Sequence, residues 1–125
     1  MRERKFRAWD KAIEAFIYSE FYPSMWQFFK ELHKRGIRHY EAEDYTGLRD
    51  SKGTEIYEED IVRCKYGRNG TQDLVVREMT VYGLFFNGIG HQRSYFYWNL
   101  SQRDTMKVIG NTHEGIREVQ DITGS

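Results

Sequence analysis

Apolar residues recur at helical spacing over only one short segment of the chain. The spacing i, i+3, i+4, i+7 is occupied by Met25, Phe28, Phe29 and Leu32. Ser24 is a suitable N-cap, with Gln27 three residues later as in a capping box. Gly36 stands where helices commonly end. The pattern therefore predicts one α-helix at about 25–35.

Most of the remaining chain consists of short runs of β-branched and aromatic residues bounded by turn residues, a pattern typical of strands. Strands are predicted at 5–9, 45–48, 54–57, 61–66, 74–86, 95–98 and 106–109. We expect the long segment 74–86 to bend at Gly83. Residues 13–18 fit a short helix and a strand equally well.

Turn residues punctuate these strands at roughly regular intervals. Asp50-Ser51-Lys52-Gly53 is expected to form a type I turn with Gly53 in the left-handed region. Asn69-Gly70 and Asn87-Gly88 are hairpin signals. The sequence therefore predicts a mainly β protein with a minor α component, built as a small barrel or as paired sheets.

Composition supports this fold class and excludes several functions. The chain has 125 residues with 8 Phe, 9 Tyr and 3 Trp, which favours pleated, half-buried surfaces. Nineteen basic and nineteen acidic residues balance, so a polybasic nucleic-acid binder is not expected. We find neither an apolar span long enough for a membrane nor a signal peptide, and we expect a cytoplasmic protein without membrane contact.

No pattern indicates a catalytic centre, a cofactor or a metal. The four histidines, His33, His39, His91 and His113, form no paired metal motif. The glycine clusters lack phosphate-loop spacing. The single cysteine, Cys64, lies in a predicted strand and is expected to be a small core residue.

Aromatic residues beside Arg93 are candidates for binding. Tyr95 and Tyr97 share one face of a predicted strand, and Phe96 and Trp98 share the other. One pair is either a stacking platform for single-stranded nucleic acid or is covered by the core or a partner. The candidate binding residues are Arg93, Tyr95, Tyr97 and, on the face of the helix opposite its apolar stripe, Trp26.

The acidic triplet Glu58, Glu59 and Asp60 has two interpretations. It could supply carboxylates to a metal-dependent hydrolase together with His113. Adjacent strand residues point apart, however. The alternative is that Asp60 fixes the turn before the strand 61–66 through side-chain to backbone hydrogen bonds.

Three blocks, KFRAWDK, DYTGLRDSKGTEIYEEDIVRCKYG and KVIGNTHE, occur in this order between positions 5 and 114. Together they resemble the YopX family of bacteriophage and prophage proteins. The resemblance implies a β-rich fold with an SH3-like barrel, a bacterial host cell and no established activity. The length indicates one domain over 1–125, with a β core at about 44–118. A variable helical insertion at about 20–38 is expected from the helical pattern, and the resemblance does not itself support that helix.

The matched positions are interpreted as scaffold and not as reactive groups. They include Trp9, Asp10, Gly47, Gly53, Tyr57, Asp60, Gly110 and Asn111. Where the family has glycine between Glu and Asp, this chain has Glu59. A positive φ at Glu59 would cost about 1 kcal/mol or more, so either the turn differs or glycine is only preferred.

The leading hypothesis is a non-enzymatic binding or regulatory module that contacts a host or phage protein and self-associates through its aromatic residues. One alternative is single-stranded nucleic-acid binding, with a basic arm formed by Arg2, Arg4, Lys5 and Arg7. The other is a metal-dependent hydrolase built on Glu58, Asp60 and His113.

Overall fold

The computed structural model of the chain describes residues 4–66, 70–80, 83–88, 94–97 and 106–117. Side chains of 65–66, 78–80, 83–88 and 94–97 are outside this description. The strands are β1 Phe6–Asp10, β2 Ala15–Tyr18, β3 Glu43–Arg49, β4 Glu55–Tyr57, β5 Asp60–Tyr66, β6 Gly70–Thr80, β7 Gly83–Gly88, β8 Ser94–Tyr97, β9 Lys107–Asn111 and β10 Gly115–Ile116. The helix α1 is Met25–Lys34, and 3₁₀ helices span Ser19–Phe21 and His39–Glu41.

The strands form two antiparallel sheets. One has the order β2-β1-β3-β4, and the other has the order β10-β9-β5-β6-β7-β8. Both sheets curl as half-barrels, which is consistent with a small β barrel. The prediction of a mainly β fold with one helix is therefore confirmed. No helix in the described ranges is long and apolar enough to cross a membrane.

The helix packs on the outer face of the four-stranded sheet. Ser24 Oγ accepts a hydrogen bond from the Gln27 N–H at 3.2 Å, as the capping box predicts. Gly36, just past the helix, has a φ of 76°. Phe28 and Leu32 pack in one core cluster with Ala8 of β1. The predicted helix is thus confirmed, because its start, its end and its apolar face all depend on local interactions.

A second core joins the two sheets. Its buried members are Leu48, Ile56, Val62, Cys64, Leu74, Val76 and Met106. Cys64 has 1% of its surface exposed, so it is the small core residue that the strand pattern predicted. Val62 and Cys64 lie on the same face of β5, as strand alternation requires.

The turn between β3 and β4 follows the prediction from Asp50 to Gly53. The Asp50 N–H donates to Thr54 O at 2.8 Å, and Gly53 has a φ of 85°. Asp50 Oδ1 accepts from the N–H groups of Lys52 and Thr54, both at 2.9 Å. Gly47, in β3, has a φ of 87° within the pairing irregularity between Tyr45 and Leu48.

Three predictions for the strands need correction or refinement. The segment 74–86 is not one bent strand, because β6 and β7 form a hairpin in which Thr80 pairs with Gly83. Asn87-Gly88 is not a turn, because both residues lie in β7 and pair with β6. The ambiguous segment 13–18 contains the strand β2. Gly70 pairs with Tyr66 beside the predicted Asn69-Gly70 turn, and Asn69 is outside the described residues.

Glu59 adopts the left-handed conformation that a glycine would favour, with a φ of 70°. Its N–H donates to Val76 O at 2.8 Å, and its carbonyl accepts from the Thr112 N–H at 2.9 Å. Its carboxylate accepts two hydrogen bonds from Arg77 Nη1, at 2.9 and 2.7 Å. The turn therefore keeps the positive φ, and contacts to two segments, β6 and the turn after β9, hold the glutamate there despite the strain.

Candidate functional site

A cleft of about 490 Å³ opens between the two sheets. The four-stranded sheet contributes Arg7 of β1, Tyr18 of β2 and Tyr57 of β4 to its lining. The six-stranded sheet contributes Asp60 at the start of β5 and Gly110 of β9. Both sheets must therefore be in place for the cleft to exist.

Arg7 is the centre of a buried ionic group in the cleft. It is 5% exposed, and its Nε donates to Glu43 Oε1 at 2.8 Å. Its Nη2 donates to Asp60 Oδ1 at 2.8 Å and to the Glu58 carbonyl at 3.2 Å. Glu43 Oε2 also contacts His113 Nε2. We call Arg7, Glu43, Asp60 and His113 the Arg7 cluster.

Strand pairing explains how the Arg7 cluster forms. In β1, Ala8 faces the helix, so Arg7 faces the opposite side of the sheet. Arg7 pairs with Glu43 in β3 and with Tyr18 in β2, which places these side chains beside it. Asp60 enters from the six-stranded sheet. The cluster thus connects the two sheets through charge-assisted hydrogen bonds.

Burial dominates the electrostatics of the cluster. Burial raises the pKa of Asp60, which is 2% exposed, to about 6, although the nearby Arg7 charge opposes the rise. Burial lowers the pKa of Arg7, but the carboxylates of Asp60 and Glu43 outweigh it and leave that pKa above its ordinary value. Arg7 therefore stays charged, while Asp60 titrates near neutral pH.

Aromatic rings line the cleft around this cluster. The Arg7 guanidinium lies 4.1 Å from the Phe16 ring centroid and 4.7 Å from that of Tyr57. The centroid of Tyr18 is 6.1 Å from those of both Tyr57 and Phe21, with T-shaped geometry in each pair. We call Phe16, Tyr18, Phe21 and Tyr57 the aromatic wall. Phe21 is 77% exposed, so the wall extends to the surface.

The Tyr57 hydroxyl is the polar atom in this wall that lacks a partner. Tyr57 is 3% exposed, and its hydroxyl has no hydrogen bond within the described part of the chain. Burial, followed by the charges of Glu55 and Glu20, raises the pKa of this hydroxyl, so it is neutral at pH 7. An unsatisfied buried polar group costs about 1–3 kcal/mol, which a ligand that bonds to it would offset.

Among the described residues that line the cleft, acidic groups outnumber basic groups. The acidic members are Glu20, Glu55, Asp60 and Glu114, and the basic members are Arg7 and Arg117. Arg117 pairs with Glu114, and Arg7 pairs with Asp60. Lys5, itself buried, pairs with Glu55. The described residues provide no ion pair for Glu20, which is exposed at the rim.

Of the candidate binding residues named from the sequence, Trp26 is described with its side chain, and it does not line this cleft. Trp26 is 68% exposed at the start of α1, with Lys30 Nζ 4.9 Å from its ring centroid. Tyr95 and Tyr97 lie in β8, at one end of the six-stranded order, and their side chains are outside the described residues. Arg93 is also outside the described residues. These four remain predictions.

Two members of the basic arm considered from the sequence, Lys5 and Arg7, do not form such an arm, Arg4 is exposed, and Arg2 is outside the described residues; Glu58, Asp60 and His113 do not form a metal site. Lys5 and Arg7 are buried against carboxylates, so they are not available to phosphates. Glu58 Oε1 accepts from the Asp44 N–H at 3.0 Å, on β3. The described residues contain no group of His, Cys, Asp or Glu able to hold a metal ion.

Several positions interpreted as scaffold make contacts that order the backbone. Asp60 Oδ2 accepts from the Tyr57 N–H at 2.8 Å, the turn-fixing bond expected from the sequence. Asn111 Oδ1 accepts from the His113 and Glu114 N–H groups. Asp10 is buried and pairs with Arg35 at 2.8 Å. The Trp9 ring stacks on His113, with centroids 5.2 Å apart.

Fold and cleft together define a small, mainly β protein with an aromatic and acidic cleft between two curled sheets. Residues 5–116 match the family model described as YopX protein, so the chain belongs to the YopX family. Membership suggests a phage or prophage protein of uncharacterised function, and the family is not a known enzyme family. No curated protein matches the chain.

Proposed function

We propose that this chain is a non-enzymatic binding module that contacts a segment of another protein, and that the cleft is its contact surface. The observation that carries the proposal is the aromatic wall, which passes from buried Tyr57 through Tyr18 to exposed Phe21. Burying a phenylalanine side chain against a partner contributes about 2 kcal/mol. Clefts lined by aromatic rings and a few polar groups are the usual form of binding sites.

Asp60 in the cleft and His113 beside it are engaged by other groups of the protein, which favours binding over catalysis. One oxygen of Asp60 accepts from Arg7, and the other accepts from the Tyr57 N–H. His113 Nε2 is directed at Glu43. A general base must reach the proton that it abstracts, whereas these groups are directed at each other.

Selection from a library of random displayed peptides tests the proposal. The wild-type chain should select peptides whose binding weakens at least tenfold in Phe21→Ser. Trp26→Ser is the matched control, because Trp26 is equally exposed and aromatic but lies outside the cleft. Peptides that bind both variants and the wild type equally would contradict the proposal.

Sedimentation of the same three proteins covers the other possible occupant. If the wild type self-associates and Phe21→Ser is monomeric, the cleft binds a second copy of the chain. That result would replace the foreign segment with a homo-oligomeric contact. If Trp26→Ser alone is monomeric, the self-association surface is on α1 and not in the cleft.

A further inference from the structure

We propose that the cleft recognises a lysine or arginine side chain of the partner segment, held by Glu20, the rim of the aromatic wall and the Tyr57 hydroxyl. This inference rests on the proposed function, because it names the chemistry of the ligand at the same site. It rests on three observations: the charges of the cleft, the unpartnered hydroxyl and the way this protein already binds its own cations.

The charges of the cleft favour a cation over an anion. The two basic groups that the described residues contribute to the lining, Arg7 and Arg117, are already paired with carboxylates. Among the acidic groups, Glu20 has no ion pair from the described residues, and it stands next to exposed Phe21. An incoming ammonium or guanidinium would find a carboxylate there, whereas an incoming phosphate or carboxylate would meet net negative charge.

The Tyr57 hydroxyl supplies an independent observation. Tyr57 lines the cleft, and its buried hydroxyl has no hydrogen bond within the described part of the chain. Glu20 and Glu55 line the same cleft as Tyr57, so two carboxylates and this phenol belong to one cavity. A phenol oxygen accepts hydrogen bonds from ammonium and guanidinium groups.

The protein itself binds its own cations by the same combination of ring and carboxylate. Arg7 lies against Phe16 and Tyr57 and pairs with Glu43 and Asp60. Lys5 Nζ lies 4.9 Å from the Tyr45 ring centroid and pairs with Glu55. Tyr18 and Phe21, beside Glu20, offer the same elements at the mouth of the cleft, and none of the described cations lies over either ring.

Titrations with four capped amino acids test the inference. The probes are the N-acetyl N-methylamides of lysine, arginine, norleucine and glutamate, and the readout is the backbone amide shifts of Gly110 and Asn111 in the cleft. The lysine or arginine probe should bind at least threefold more tightly than norleucine and glutamate, as an exposed ion pair and a cation–π contact together supply. Lysine and arginine compared with each other decide which cation is preferred.

Three variants assign the preference to the named groups. Glu20→Gln and Tyr57→Phe should each reduce the ratio of cationic to norleucine affinity at least twofold. Glu14→Gln is the matched control, since Glu14 is an exposed acid in the turn between β1 and β2 and does not line the cleft. A ratio that survives in both Glu20→Gln and Tyr57→Phe would overturn the inference.

The outcomes separate the inference from the proposed function. Norleucine binding as tightly as lysine and arginine, with loss of all three in Phe21→Ser, would refute cation recognition and leave a binding cleft. Tighter binding of glutamate would refute it as well. If no probe shifts the cleft amides, the inference is wrong, and the peptide selection still decides on the proposed function.

Discussion

Replacing Arg7 with methionine should destabilise the protein strongly, and by an amount that depends on pH. Methionine keeps much of the volume and the contact with the Phe16 and Tyr57 rings. It removes the cation that serves two buried carboxylates, Glu43 and Asp60. Breaking a buried ion pair by removing one partner costs about 3–5 kcal/mol, and we expect a loss of that size at pH 7.5.

The pH dependence follows from Asp60. In the wild type its pKa is about 6, and the charge of Arg7 opposes a further rise. Without Arg7 that pKa moves higher, so the folded variant binds a proton at pH 7.5 that the wild type lacks. One extra bound proton changes stability by about 1.4 kcal/mol per pH unit. The difference between variant and wild type should therefore shrink by at least about 1 kcal/mol between pH 7.5 and pH 6.

Urea unfolding followed by tryptophan fluorescence measures this difference at each pH, because Trp9 stacks on His113 within the site. Arg4→Met is the matched control: Arg4 is exposed and lies 3.8 Å from Asp44, so we expect a change of less than about 1 kcal/mol. A loss of less than 1 kcal/mol for Arg7→Met at pH 7.5, or a loss that is constant with pH, would refute the buried-pair reasoning.

Three further predictions follow from the structure. Burial raises the pKa of Asp60 from 3.8 to about 6, so the folded chain binds more protons than the unfolded chain between these values. Asp60 therefore lowers the free energy of unfolding by roughly 3 kcal/mol as the pH rises through that window. Urea titrations of Asp60→Asn from pH 4 to 7 should lack this decline, and an equal decline in the variant would contradict the prediction. Gly110→Ala should lower stability by about 1–3 kcal/mol in thermal unfolding, since the added Cβ would lie 2.1 Å from Gly115 O; an unchanged Tm would show that β10 moves freely. Glu59→Gly should change the free energy of unfolding in urea by less than about 1 kcal/mol, because relief of the positive φ is offset by the chain entropy of glycine and by loss of the ion pair with Arg77. In an Arg77→Gln background, where that ion pair is already absent, Glu59→Gly should stabilise the protein. Destabilisation in that background would contradict the inference that the backbone at Glu59 is strained.

Features that depend on neighbouring residues could be predicted from the sequence. The helix begins at the Ser24 cap and ends before Gly36, and both signals act within a few residues of the backbone that they order. The turn at Asp50 and Gly53 is similar, because the aspartate bonds to N–H groups two and four residues later. The strand pattern around Cys64 likewise predicted a core residue, and Cys64 packs in the core with Val62.

The hairpin between β6 and β7 could not be predicted in this way. Its strands pair with Thr80 opposite Gly83, and the two residues between them, Val81 and Tyr82, are not turn formers. The sequence therefore looked like one long strand. Conversely, Asn87-Gly88 has the composition of a hairpin turn but lies within β7, where both residues pair with β6 and Asn87 also pairs with β8. This strand pairing outweighs the local turn preference.

The site was missed for a different reason. Arg7 and Asp60 are 53 residues apart, and His113 contacts Glu43 across 70 residues, so no spacing rule connects them. Arginine is rarely buried, which made a solvent-exposed basic arm the natural interpretation of Arg7. One signal was present: Arg7 alternates with Phe6 and Ala8 in a predicted strand, so it had to face whatever covered the other side of that sheet.

The Arg7 cluster bears on the role of the cleft through its geometry more than through its stability. A buried ion pair is often no more stabilising than apolar residues of the same volume, and Asp60 is ionised at neutral pH against the effect of burial. Its hydrogen bonds have defined directions, however, and they join β1, β3, β5 and the turn after β9. An apolar contact would allow these segments to slide, whereas the cluster fixes the separation of the two sheets. The aromatic wall and Glu20 depend on that separation, so the cost in stability is consistent with a cleft whose shape matters for binding.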